Sequence, residues 1–121
     1  MSTLTKVLEK NVAEIEKNAD MTEGRFRLGH HLMPPIGWLN DPNGLCWYKG
    51  RYHVFFQYAP FDVEGGLKFW GHYTSEDLVD WKYEGTALYP DSPYDCHGVY
   101  SGSALAESEK LHLFFTGNVK I

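Results

Sequence analysis

The chain has no apolar run of the ~18 residues a membrane-spanning helix requires, so nothing in it reads as a transmembrane segment. Its first residues alternate Lys and Glu and lack the basic, apolar and small-residue regions of a secretory leader. Basic residues are scarce: 11 Lys and Arg stand against 16 Asp and Glu, for a formal net charge of −5. That balance argues against a nucleic-acid partner or an anionic membrane surface, which both demand clustered Lys and Arg. Only two cysteines occur, Cys46 and Cys96, far apart and without CxxC spacing. Two reduced thiols of a cytoplasmic protein are the simplest reading, ahead of a disulfide. His30 and His31 are adjacent, and neighbours in an extended chain rarely aim at one ion. Neither a metal nor a cofactor is expected.

What the chain does have is aromatic side chain, at 16% of 121 residues. This length suits one modest core. The aromatic excess suits a β-rich core, or a surface that stacks on ring-shaped ligands such as sugars. Residues 4–17 place Leu4, Leu8, Val12 and Ile15 on one helical stripe with Val7 beside it. Lys6, Glu9, Lys10, Glu14 and Lys17 fill the opposite face, which predicts an amphipathic helix. Asn18 to Gly24 break the pattern, dividing the chain into a helical extension over 1–24 and a main unit over 25–121.

From Gly44 onward the period changes to two. The stretch "LCWYKGRYHVFFQY" predicts a hairpin about Lys49-Gly50. "KFWGHYTS" reads as a third strand, "SEDLVDW" as a turn, and "KYEGTALYP" as a fourth strand ending at Pro90. "GVYSGSALAESEKLHLFFTG" is a further hairpin with its loop near Glu107 to Lys110. Such a meander is the repeating unit of a β-propeller, and a sandwich has nearly the same signature. Propellers need about 4–8 blades, while this chain holds one blade and the beginning of a second. It reads as the front of something longer.

Chemistry centres on "GWLNDPNG", residues 37–44. The segment Pro42-Asn43-Gly44 is a turn signal, and Asp41 before it is either turn punctuation or a carboxylate held rigid for chemistry. Proline biases Asp41 toward an extended backbone and stiffens the chain at its own position. Gln57 ends the apolar strand "HVFFQYAP", where an amide has no packing reason to sit. Trp70-Gly71-His72 groups a large ring, bare backbone and an imidazole, and Tyr100-Ser101-Gly102-Ser103 places hydroxyls at a strand start. His53 and His97 read as structural, and His72 either bonds a neighbour or touches a ligand. Strands that begin near a propeller's central channel would aim Asp, Asn, Gln, Ser and Trp at one cavity, which is equipment for holding a sugar.

"WLNDPNGL", "FFQYAP", "WGHYTSEDLVDW" and "GVYSGSA", in this order, resemble the N-terminal blade of glycoside hydrolase family 32. The resemblance runs from about Leu28 to the C-terminus. It implies an all-β fold: the first blade and start of the second blade of a five-bladed β-propeller, preceded by the N-terminal amphipathic helix. It also implies cleavage of β-fructosides, sucrose or sucrose 6-phosphate, with retention of configuration. By motif position Asp41 is the nucleophile, Asn40, Gln57 and Ser101 bind the fructosyl unit, and Trp70 and Tyr100 line the site. A cytoplasmic setting leans toward the phosphorylated substrate. The partner is then a small sugar, with no nucleic acid and no membrane involved.

A second carboxyl group, about 5–5.5 Å from the nucleophile in retaining enzymes, must protonate the leaving group and then activate water. The family's later "R-D-P" and "E-C" segments, which carry the transition-state stabiliser and the acid/base, do not occur in this chain. Asp95 sits in neither motif. The chain by itself is therefore expected to be inactive and to fold poorly; a chain complete at Ile121 would instead be a non-catalytic sugar-binding module. Many relatives carry Trp in the loop after "QY", where Gly65-Gly66 stand here.

Overall fold

The computed structural model describes residues 2–19 and 27–121. The helix runs on through Asn18 and Ala19, where the sequence predicted its break to begin; the rest of that break, and the boundary between 24 and 25, lie outside the described residues. Helix α1 spans Thr3–Ala19. Ser2 caps it, its Oγ accepting the Thr5 N–H at 3.0 Å and satisfying one of the free donors of the first turn. The face that docks is turned from the apolar stripe. Val12 is buried and Leu8 packs beside it, but Leu4 and Val7 stay 47% and 49% exposed. Thr5 and Glu16 take the flanking places instead. The Thr5 hydroxyl donates to Asp91, while Glu16 Oε1 accepts the hydroxyls of Tyr58 at 2.9 Å and Tyr83 at 2.6 Å. These polar anchors decide the rotation, because a buried hydroxyl left unpaired costs more than an exposed leucine.

Strands β1 (Trp38–Tyr48), β2 (Arg51–Ala59), β3 (Phe69–Ser75) and β4 (Lys82–Leu88) form one antiparallel sheet in sequence order. β5 (Val99–Ala106) and β6 (Leu111–Gly117) start a second sheet, and β5 lies against β1. The β1–β2 hairpin turns through Lys49 and Gly50, both with positive φ, between the closing pair Tyr48 and Arg51. That is the two-residue geometry whose twist matches its strands.

The first sheet is covered on both faces, and so β2 is buried continuously from Val54 to Ala59. On one face Phe56, Tyr58, Phe69 and Tyr73 pack with Val12 of the helix. On the other, Phe55 and Trp70 pack with Val99 of the second sheet. Alternation along β2 therefore chooses between two cores, not between core and water.

The structure corrects one local expectation. "DPNG" is not a turn that launches a strand; it lies inside β1. Asn40 pairs with Gln57 and Pro42 with Phe56, so Asp41 is an extra residue without a partner. A second irregularity falls between Asn43, opposite Phe55, and Cys46, opposite His53. Asp41 takes φ 34° and Gly44 φ 60°. Bulges and turns demand the same residues at such angles, and only the partner strand decides which of them forms.

Candidate active site

A second bulge faces the first. In β5, Tyr100 pairs with Thr116 and Gly102 with Phe115, which leaves Ser101 out of the ladder. Gly102 permits the tight pairing there, since a Cβ would come within 1.8 Å of the Phe114 carbonyl. The two residues expelled from their ladders meet: Ser101 Oγ donates to Asp41 Oδ2 at 3.1 Å. Asn43 steadies the same bulge through its side-chain amide, which donates to the Asp41 carbonyl at 2.9 Å. The Asp41 carboxylate is held at an exposed position on a backbone stiffened by Pro42.

The other nominated residues join these two into a ring. Asn40 pairs with Gln57 across β1 and β2, and Gln57 with Trp70 across β2 and β3. Directly opposed residues share a sheet face, so the three form one row. Trp70 Nε1 then donates to the carbonyl of Tyr100 at 3.0 Å, and Tyr100 precedes Ser101. Asn40, Asp41, Gln57, Trp70, Tyr100 and Ser101 are thus brought together from four strands. Gln57 is 5% exposed, and among the described residues its amide makes no hydrogen bond. Trp70 presents no surface at all. It supports the site from beneath, holding Tyr100, and does not itself line it in this chain.

Two further residues beside Tyr100, Lys68 and Asn118, escape a reading of the sequence. Lys68 Nζ lies 5.1 Å from the ring centre of Trp38 and 5.5 Å from that of Tyr100. It donates to the carbonyls of Gly65 and Gly66, each at 3.2 Å. Asn118 donates to the Tyr100 hydroxyl at 3.2 Å. A lone cation inside the aromatic stretch "GLKFWG" is the available signal for Lys68.

His53, His72 and His97 are each engaged by neighbouring protein groups. His53 Nε2 stands 3.1 Å from the Tyr48 carbonyl, which only accepts, so that nitrogen carries the proton. His53 Nδ1 then accepts from His72 Nε2 at 2.9 Å. Burial first, and the neighbouring His53 second, push the His72 pKa down to about 4. His97 Nδ1 accepts the Lys120 N–H at 2.8 Å, and the buried Asp95 accepts the Ser92 N–H at 2.8 Å. Cys46 and Cys96 are free thiols. No helix among the described residues is long and apolar enough to cross a membrane.

Residues 31–121 match the sequence model of the glycosyl hydrolases family 32 N-terminal domain. The chain belongs to glycoside hydrolase family 32. Sucrose-6-phosphate hydrolase of Bacillus subtilis is 51% identical over 108 residues, covering 88% of this chain and 22% of that protein. The structure of sucrose-6-phosphate hydrolase from Lactobacillus gasseri superposes with a TM-score of 0.78 at 42% identity, over 90% of this chain and 22% of that one. A family 32 β-fructofuranosidase from Bombyx mori superposes at 0.79 with 36% identity, over 89% of this chain and 23% of its own. The chain therefore spans less than a quarter of the length of the relatives it matches. In family 32 terms, β1–β4 are the first propeller blade and β5–β6 the start of the second, with α1 packed on the first blade's outer core.

Proposed function

We propose that the protein carrying this chain is a retaining β-fructosidase acting on sucrose or sucrose 6-phosphate, with Asp41 as its nucleophile. The observation that carries the reading is the meeting of two bulges, which holds an exposed carboxylate against a serine hydroxyl. In this account Asp41 attacks the anomeric carbon of the fructosyl unit through an oxocarbenium-like transition state and forms a fructosyl-enzyme ester. Ser101 steadies the carboxylate and, with Asn40 and the unengaged Gln57 amide, holds fructosyl hydroxyls. Tyr100 borders the sugar. The acid/base carboxyl comes from parts of the family 32 protein outside these residues. A helical extension over 1–24, a propeller segment over 25–121, and a cytoplasmic setting belong to the same proposal.

Asp41→Asn keeps size and polarity but removes the nucleophile. It should lower kcat for glucose or glucose 6-phosphate release by about 10⁴-fold or more, as loss of a nucleophile does elsewhere. A variant within tenfold of the wild type would refute the assignment.

A further inference from the structure

Lys68 is set apart from the other cations of the described residues by its place between two aromatic residues of the site. Lys49, Arg51 and Lys82 each pair with a glutamate, whereas Lys68 makes no ion pair among the described residues. Two of its three ammonium donors are taken by the carbonyls of Gly65 and Gly66, which leaves one N–H unassigned. The ammonium also lies over the rings of both Trp38 and Tyr100. Trp38 opens the strand that carries Asp41, and Tyr100 precedes the serine bonded to it. The cation therefore stands at the mouth of the site and not on a remote surface.

Gly65 and Gly66 contribute no side chains to the loop around it, and the exposed Asp62 is engaged within that loop, its Oδ1 accepting the Glu64 N–H at 2.8 Å. Where an aromatic residue would stack on a neutral leaving-group sugar, this loop offers a fixed ammonium with a spare donor. We infer that Lys68 determines specificity by binding the phosphate of a phosphorylated leaving-group sugar at the rim of the Asp41 site. A phosphate monoester carries nearly two negative charges at neutral pH and accepts strongly, so it satisfies both the spare donor and the uncompensated charge. The inference rests on the fructosidase reading and narrows it to anionic substrates.

The test compares kcat/KM for sucrose 6-phosphate and sucrose in the full-length protein carrying this chain, with Lys68→Met and Lys68→Arg. A lost hydrogen bond to a charged group corresponds to a fall of about ten- to a hundredfold. Lys68→Met should show that fall on sucrose 6-phosphate alone, and Lys68→Arg should keep most of the preference. Glucose 6-phosphate should also inhibit the wild type at least tenfold more strongly than glucose, a measurement that needs no variant to fold. Equal losses on both substrates, or equal inhibition by the two products, would overturn the inference while leaving Asp41's role intact. A wild type that releases neither product overturns the fructosidase reading and this inference with it.

Discussion

Strands β1 and β2 are hydrogen-bonded neighbours, yet they follow opposite rules. β2 pairs with β3 without an irregularity and is buried from Val54 to Ala59. β1 departs from its ladder twice and leaves Asn40, Asp41 and Pro42 exposed. The regular strand is where apolar rings from two cores meet. The irregular one aims a carboxylate. A bulge needs a rigid partner to be irregular against, so the precision of Asp41 depends on the dullness of β2.

This contrast is breakable in stages. The largest effect on stability is expected from the β2 side: Phe56→Ala, deep in the helix-facing core, should lower unfolding free energy by about 3–5 kcal/mol in urea titration. Acid should give a smaller loss, through His72 on β3. Its folded pKa lies near 4 and its ordinary value is 6.5, so the unfolded chain takes up the proton first. The stabilisation from keeping His72 neutral is full above pH 6.5 and is lost as pH falls from there toward 4. Melting temperature measured across that window should drop, and His72→Asn should flatten the slope. The smallest stability effect belongs to the bulged residues. Ser101→Ala should change stability by no more than about 0.5 kcal/mol, while kcat/KM falls by about tenfold or more with the lost charge-assisted bond. A Ser101→Ala variant that loses stability and keeps activity would reverse the comparison.

The same contrast explains what the sequence discloses. The Lys49-Gly50 hairpin and the period-two runs are legible because turn chemistry and alternation are local. "DPNG" reads wrongly as a turn because Asp41 and Gly44 adopt backbone angles that turns and bulges share, and the deciding partner, β2, is remote in sequence. The row of Asn40, Gln57 and Trp70 is legible as a set of residues, but not as a row. Register puts them opposite one another. Trp70's full burial depends on the second sheet packing against it, a contact that the motifs of the two sheets do not describe. The helix's docking face departs from its apolar stripe because Glu16 and Thr5 find hydroxyl and carboxylate partners on the sheet side. Lys68 is nearly silent in the sequence, marked only as a lone cation beside Phe69 and Trp70; its meaning comes from two rings and two carbonyls gathered around it.

The central claim is that the bulge in β1 presents Asp41 as the nucleophile. It is tested most directly by trapping the intermediate on the full-length protein with a slow fructosyl donor that has a good leaving group. After acid quench and digestion, mass spectrometry should find one fructosyl unit on the peptide containing Asp41, and none on the Asp41→Asn protein. An adduct on a different carboxylate, or one that persists in Asp41→Asn, would contradict the account.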